Sequence, residues 1–249
     1  MRFALSHADR VIANSEHTRD TLLEMGIDTA RITIIYPGVD VSVFRPGLDT
    51  SGLRQSLNIR PDEKLVFSVG RLSRRKGFDQ MIRAISRLRA ENLSVRYVIA
   101  GIGEDADYLD GLIHEYKLHG VAHRIGQVGE ADLPRWMNAC DVFAMPNREI
   151  NGDNEGFGMV FIEAAACAKP VVAGTAGGTS AAVLDGVTGL RIDGNEVAIV
   201  ASALHRLFSD KALSQAMGEA GLARVQNEFS WDRVAKKTRG LGDKLSWDR

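Results

Sequence analysis

The chain has 249 residues, 45% of them hydrophobic, which is enough to bury one large α/β core or two smaller ones. Its 32 acidic and 31 basic side chains nearly cancel, which excludes the broad basic field of a nucleic-acid or anionic-membrane binder. The sequence has neither a signal-type N-terminal segment nor an apolar run of about 18 residues, the length that spans a bilayer. We therefore expect a folded, cytoplasmic protein in which any site for a polyanion is local.

Short β-branched runs and amphipathic segments alternate along the chain: RVIANS and EHTRDTLLEMG, KLVFSVG and FDQMIRAISRLRA, VRYVIAG and DADYLDGLIHEYKLHG. The pattern continues with strands at DVFAMP, PVVAG and GLRI and with a helix at FGMVFIEAAACA. Three helices close the chain, near residues 196–209, 211–227 and 231–246. This alternation predicts a Rossmann-like α/β fold, in which crossover helices join parallel strands and cover both faces of the sheet.

The helix FDQMIRAISRLRA has a clear apolar stripe at helical spacing, which predicts that it covers the sheet. The stripe consists of Phe78, Met81, Ile82, Ile85 and Leu88. The charged residues Asp79, Arg83, Arg87 and Arg89 lie off the stripe.

Residues 36–52, YPGVDVSVFRPGLDTSG, contain two Pro-Gly steps and lack hydrophobic periodicity, so they are either a hinge between domains or an ordinary long loop. The strand-helix-strand unit of residues 1–35 is too small to bury its own faces, which suggests that part of a fold is missing upstream. With the hinge interpretation, the domains are a remnant at 1–36, a hinge at 37–52, a main domain at 53–228 and a C-terminal helix at 229–249.

The loop GRLSRRKG follows the strand KLVFSVG, and ligands of doubly wound sheets bind outside the carboxyl ends of the strands. Arg71 lies at the strand exit and Lys76 lies just before the next helix. Two cations over a helix N-terminus can bind phosphate, because free N–H groups and the helix dipole add to the side-chain charge. Taken alone, the motif is equally consistent with a solvated basic turn.

The segment GDNEGFGMVFIEAAACAKPVVAG places Glu155 in a Gly-rich turn and Glu163 inside an otherwise apolar helix. Burying a carboxylate without a partner is costly, so each needs either a protein partner or a ligand. Glu155 as a helix-start carboxylate, and Glu163 paired with a core arginine or a backbone amide, are the structural alternatives.

A ligand-binding interpretation follows if this helix begins near Phe157. Gly156 and Gly158 would then allow a ligand close to the backbone, and N–H groups around Gly158 and Met159 would face an anion. Eight helical residues rise about 12 Å, so Glu155 and the later glutamate could flank a diphosphate and reach hydroxyl groups at either end. A nucleotide sugar has this layout.

Cys140 and Cys167 lie in apolar segments without metal-ligand spacing, which favours buried free thiols over a disulfide or a zinc site. The six histidines show no ligand spacing either. We therefore expect neither a metal nor a bound cofactor.

Six motifs occur in the order, and near the spacing, of retaining GT-B glycosyltransferases, the large family that includes bacterial phosphatidylinositol mannosyltransferases. They are YPGVD, SVGRLSRRKG, YVIAG, NACDVFAMP, EGFGMVFIEAAACAKPVVAG and GG…VLDGVTGL. The similarity covers essentially the whole chain. It implies that the chain is the C-terminal, donor-binding half of a GT-B enzyme.

The resemblance also implies roles for individual residues. It assigns Arg71 and Lys76 to the donor diphosphate, Glu155 to the hexose hydroxyls and Glu163 to the ribose, with the first three as catalytic residues. The further substrate-binding residues that it implies are Gly70, Gln127, Val128, Gly156, Phe157, Gly158, Met159 and Val160. Among these, Gln127 and Val128 would lie beside the base, and the backbone from Phe157 to Val160 would line the phosphate–sugar junction.

The reaction that the resemblance implies moves a hexose of mannose or glucose type from GDP or UDP to an acceptor hydroxyl, on a lipid or a glycan, with retention of configuration. GDP-mannose is slightly favoured over UDP-hexoses. The alternative is a non-catalytic nucleotide-sugar-binding half, acting alone or with a separate acceptor-binding chain. A GT-B sugar-nucleotide epimerase fits the glutamate pair and GRLSRRKG less well.

Three features depart from the family pattern. The segment HRIGQVG is shorter than the usual strand before the base-contacting loop, which makes base recognition the least secure inference. Ala181 stands where an acidic residue is common. The first domain, which holds the acceptor site in this family, is nearly all absent from the chain.

Overall fold

The computed structural model describes residues 2–246. Residue 1 of the predicted remnant and residues 247–249 of the predicted C-terminal helix lie outside the described residues. The strands are β1 Val11–Ala13, β2 Ile32–Ile34, β3 Lys64–Val69, β4 Val95–Ala100, β5 Ala122–Arg124, β6 Val142–Met145, β7 Val171–Gly174 and β8 Gly189–Ile192. The helices are α1 Arg2–His7, α2 Glu16–Glu24, α3 Leu53–Ser56, α4 Phe78–Ala90, α5 Ala106–Glu115, α6 Leu133–Ala139, α7 Met159–Ala166, α8 Thr179–Ala182, α9 Val197–Ser209, α10 Lys211–Glu228 and α11 Trp231–Ser246.

Six strands form one parallel sheet in the order β5-β4-β3-β6-β7-β8. Helices α4, α5 and α9 pack on one face, and α6 and α7 pack on the other. The predicted Rossmann-like parallel sheet with helices on both faces is therefore confirmed. The strand order reverses between β3 and β6, and such a switch point leaves a crevice at the carboxyl ends of the strands.

Side chains of the central strands alternate between two apolar cores. In β3, Val66 belongs to one core, and Leu65 and Phe67 belong to the other. All three side chains are fully buried. Burial on both faces explains why this strand is apolar at consecutive positions, as is common in parallel sheets.

Helix α4 lays its predicted apolar stripe on the sheet, and all five residues of the stripe are buried. Asp79, which the pattern places off this stripe, is buried as well. Its carboxylate forms a bidentate pair with Arg148 in the loop after β6. The helical pattern could not reveal this burial because the partner lies elsewhere in the chain.

The strand-helix-strand unit predicted for the first 35 residues is present as a separate two-stranded parallel sheet, β1 beside β2, with α2 between them in the chain. The following segment lacks helices and strands of its own over residues 37–52. It meets the C-terminal region where the Val39 N–H donates to the Phe229 carbonyl at 2.8 Å. Its role as a hinge, and the domain bounds based on it, stay predictions.

The two cysteines are buried free thiols, as predicted. Burial raises the pKa of Cys140 and of Cys167 to about 12, so both thiols are protonated and unreactive at neutral pH. Across residues 2–246, no helix combines the length and the apolarity that crossing a membrane requires.

Candidate functional site

Two loops meet at the carboxyl ends of β3 and β6, at the switch point of the sheet. The loop after β3 ends in a 3-10 turn, Arg74–Lys76, and the loop after β6 carries Glu155. The Lys76 ammonium donates to Glu155 Oε2 at 2.5 Å, and the two side chains are only 13% and 12% exposed. The fold therefore brings together two predicted site residues that lie far apart in the chain.

Arg75 joins this pair, although the sequence analysis did not single it out. Its Nη1 lies 3.3 Å from Glu155 Oε2, and its Nε lies 3.0 Å from Asp153 Oδ2. Glu155 therefore accepts from two cations and is not a helix-start carboxylate, since α7 begins only at Met159. The one sequence signal for Arg75 is the basic run SRRK.

Arg71 points elsewhere. The pattern predicts two cations held together, but Arg71 is 75% exposed and its Nε contacts Glu104 Oε2 at 3.0 Å. An exposed ion pair of this kind is weak, because water solvates both partners and salt screens their attraction. Arg71 can therefore leave Glu104 for an anionic ligand at little cost.

A cavity of about 620 Å³ lies across the ends of β3, β4 and β5. It is lined by Val69, Gly70, Arg71, Gly101, Ile102, Gly103, Glu104, Gln127 and Val128. Four predicted site residues, Gly70, Arg71, Gln127 and Val128, thus share one cavity of a size typical for small-molecule sites.

Five cavity residues were not predicted from the sequence: Val69 at the end of β3, and the run Gly101–Glu104 in the loop after β4. A Cβ atom at Gly101 would lie 1.9 Å from the Gly70 carbonyl oxygen, so the loops after β3 and β4 touch backbone to backbone. The glycines in GIGE, directly after the strand YVIAG, are the signal that could have indicated this contact.

Helix α7 begins at Met159, two residues after the predicted start near Phe157. Gly158 has a left-handed φ of +90°, and a Cβ atom there would lie 2.4 Å from the Phe161 ring. The estimate of eight helical residues between the two carboxylates is therefore wrong, because the first part of that span is loop. The first turn, with Met159 and Val160, lacks a side-chain cap, which leaves its N–H groups available to an anion.

Gly156 and Phe157 tie this loop to other parts of the molecule. The Gly156 carbonyl accepts from the buried Ser15 hydroxyl at 2.6 Å. The buried Phe157 ring lies 5.9 Å from the Tyr36 ring and 5.8 Å from the Phe229 ring, measured between centroids. Phe157 can therefore offer a ligand only its backbone, as the sequence analysis expects.

Glu163 lies on the second turn of α7, and one of its carboxylate oxygens lacks a hydrogen-bond partner among the described residues. Its Oε2 is buried and has no hydrogen-bond partner within residues 2–246. The predicted alternative, a core arginine or a backbone amide on this oxygen, is therefore not found. Burial raises the pKa of Glu163 to about 7. Buried polar atoms are nearly always hydrogen-bonded in folded proteins, so this oxygen is a candidate ligand contact.

Comparison with known families and proteins agrees with this arrangement. Residues 49–224 match the model of the glycosyl transferases group 1 family, and residues 1–43 match that of glycosyltransferase family 4. A D-inositol 3-phosphate glycosyltransferase of Mycobacterium marinum is 36% identical over 251 residues, covering 96% of this chain and 52% of the relative. The chain thus spans about half the length of the curated relatives it matches.

Solved structures show the same architecture. Sucrose-phosphate synthase from Thermosynechococcus elongatus covers the whole chain with a TM-score of 0.85 at 28% identity, over 61% of its own length. Anabaena HepE, solved with UDP and glucose, covers 98% of the chain with a TM-score of 0.85 at 27% identity, over 64% of its own length. The chain therefore belongs to the glycosyl transferases group 1 family and has the fold of the C-terminal half of GT-B glycosyltransferases.

Proposed function

We propose that this chain is the donor-binding half of a retaining glycosyltransferase that moves a hexose from a nucleoside diphosphate to an acceptor hydroxyl. The observation that carries the proposal is the buried Lys76–Glu155 pair at the switch point of the sheet. The Lys76 cation lies on the crevice that collects ligands in such sheets, and its partner is a carboxylate suited to sugar hydroxyls.

In this proposal the diphosphate binds Arg71, Lys76 and the uncapped first turn of α7. The base occupies the 620 Å³ cavity beside Gln127 and Val128. A ribose hydroxyl donates to the buried Glu163 Oε2, which otherwise lacks a partner within residues 2–246.

The remaining donor contacts concern the hexose. Glu155 accepts from its hydroxyls, and Gly156, Gly158 and Met159 allow the phosphate–sugar junction to approach the backbone. These assignments combine the family resemblance with the geometry of the two loops.

The proposed chemistry needs no nucleophilic carboxylate. The acceptor attacks the anomeric carbon from the face that the diphosphate leaves, and the departing phosphate takes the acceptor proton. Arg71 and Lys76 stabilise the negative charge that develops on the leaving diphosphate, which is effective because Lys76 is mostly withdrawn from water.

The names of similar proteins support a narrower choice of sugar donor and acceptor than the sequence motifs do. Anabaena HepE was solved with UDP and glucose, and the Mycobacterium marinum relative is named as an inositol phosphate glycosyltransferase. We therefore favour a UDP-hexose over GDP-mannose and an inositol phosphate hydroxyl as the acceptor. A reducing compartment such as the cytoplasm suits the two free thiols.

Calorimetric titration of this chain with UDP, GDP and ADP tests the donor site. We expect one nucleotide to bind, and we expect Glu163→Gln to weaken that binding because a neutral amide oxygen is a weaker acceptor than a carboxylate oxygen. Glu63→Gln is the matched control, since Glu63 is also a buried carboxylate but lies at the amino end of β3. Failure of all three nucleotides to bind the unmodified chain would refute the proposal.

The second candidate is a non-catalytic half that binds the nucleotide sugar for a separate acceptor-binding chain. The observation in its favour is that every residue assigned above to the donor, from Gly70 to Glu163, lies on this chain, so donor binding as proposed needs no residue from a second chain. Transfer to inositol phosphate by this chain alone would exclude it, whereas transfer only after adding a second protein would support it.

A further inference from the structure

We propose that Asp79 and Arg148 are positioning residues that hold Lys76 and Glu155 in the arrangement that the donor requires. This inference rests on the proposed function, because it concerns the same donor site. Neither residue reaches the site itself in the proposal; each acts through the segment that carries it.

The two side chains form a buried, bidentate ion pair. Arg148 Nη1 donates to Asp79 Oδ1 at 3.0 Å, and Arg148 Nη2 donates to Asp79 Oδ2 at 2.9 Å. The side chains are 9% and 5% exposed. Two parallel hydrogen bonds between planar groups fix orientation as well as distance.

A second arginine completes the environment of the Asp79 carboxylate. Arg83, one turn further along α4, donates to Asp79 Oδ2 at 3.1 Å and to the Tyr108 hydroxyl at 3.0 Å. Asp79 is therefore held from both sides, by its own helix and by the loop after β6. Arg148 is therefore paired with a carboxylate whose position is already fixed by Arg83.

Backbone contacts join the same two segments. The Arg148 N–H donates to the Arg75 carbonyl at 2.7 Å. Gly77 approaches Pro146 so closely that a Cβ atom would lie 2.2 Å from the Pro146 carbonyl oxygen. The turn that carries Lys76 thus lies directly against the start of the loop that leads to Glu155.

The position of the pair in the chain explains its effect on the site. Asp79 lies in the first turn of α4, three residues after Lys76, and Arg148 precedes Glu155 in the loop after β6. Locking Asp79 to Arg148 therefore fixes the two strand-end segments relative to each other. A displacement of about 1 Å between catalytic groups can cost on the order of 10²-fold in rate, so this constraint matters for catalysis.

A second buried pair in the same sheet provides a matched control. Arg96 donates to Glu63 at 2.8 Å, and their side chains are 16% and 2% exposed. Glu63 directly precedes β3, and Arg96 is the second residue of β4. Both therefore lie at the amino ends of the strands, away from the donor loops. Breaking this pair should disturb stability as the loss of Arg148 does, but without moving the donor loops.

The experiment compares Arg148→Gln, Asp79→Asn and Arg96→Gln with the unmodified chain. Each is titrated with the nucleoside diphosphate that the unmodified chain binds best and with the corresponding nucleoside, well below its melting temperature. Asp79→Asn keeps the shape of the side chain and serves if Arg148→Gln does not fold. We expect Arg148→Gln and Asp79→Asn to bind the diphosphate about tenfold more weakly, or worse, and the nucleoside unchanged. Arg96→Gln should alter neither affinity.

The nucleoside readout separates positioning from general destabilisation. Equal losses for nucleoside and diphosphate, an unchanged diphosphate affinity in Asp79→Asn, or an equal loss in Arg96→Gln would each overturn the inference. If the unmodified chain binds no nucleotide, the proposed function fails instead, so the two failures are distinguishable.

Discussion

At the scale of single residues, each main cation of the candidate site already has a carboxylate partner. Lys76 contacts Glu155, and Arg71 contacts Glu104. The two pairs differ in the free energy needed to separate them. The Arg71 pair is exposed and weak, whereas the Lys76 pair is largely buried. An anionic ligand can readily bind Arg71 in place of Glu104. To bind Lys76, the ligand has to replace Glu155 or contact the ammonium together with it.

Lys76→Ala tests the proposed charge-stabilising role directly. We expect a loss of roughly 10²–10³ in the rate of the complete enzyme, as for other preorganised charge stabilisers, without unfolding. A transferase assay combined with a thermal melt measures both quantities. Lys169→Ala is the control, since Lys169 precedes β7 at the opposite end of the sheet. An unchanged rate in Lys76→Ala would remove the assignment.

Glu163 makes stability depend on pH in a defined direction. Burial raises its folded-state pKa from 4.5 to about 7, so the folded chain holds this proton more tightly than the unfolded chain does. The associated stability is fully present below pH 4.5 and is lost as the pH rises through about 7. Glu163→Gln removes this dependence.

We therefore expect Glu163→Gln to gain stability relative to the unmodified chain between pH 4.5 and 8. The gain should approach about 3 kcal/mol, the free energy that corresponds to the raised pKa. Urea unfolding at both pH values measures it. A difference between the two proteins that does not change with pH would contradict the prediction.

At the scale of elements, the turn before α4 depends on a single glycine. Gly77 and Gly47 share a φ of +78°, but a Cβ atom at Gly77 would strike the Pro146 carbonyl, whereas a Cβ atom at Gly47 would meet nothing within 4 Å. Gly47→Ala should cost only left-handed strain, about 1–2 kcal/mol. Gly77→Ala should cost more and weaken nucleotide binding. Urea unfolding and calorimetry compare them, and equal costs would refute the argument.

Periodic helices and short apolar strands were predictable from the sequence, and short helices were not. The three closing helices agree with their predicted bounds within one residue, because long apolar periods identify helices well. The short helices α3, α6 and α8 have too few turns to show a period. The start of α7 was misplaced because the left-handed conformation of Gly158 delays the helix.

At the scale of the whole molecule, the candidate site exists because β3 and β6 are neighbours in the sheet. The motifs around Lys76 and Glu155 could be recognised separately, but local patterns do not show that the two side chains touch. The Asp79–Arg148 pair was unpredictable for the same reason. Only the resemblance to a known family linked the motifs before the strand order was seen.

The contact between Val39 and Phe229 closes the part of the chain between them. The Val39 N–H and the Phe229 carbonyl are hydrogen-bonded, so residues 39–229 start and end at one point. All proposed donor residues, from Gly70 to Glu163, lie within this closed segment. Segments with adjacent ends are readily moved between proteins, as circular permutation and domain insertion show. Under the proposed function, genetic recombination at this one junction would join the same proposed donor site to a new acceptor domain, and would thereby change which acceptor receives the sugar.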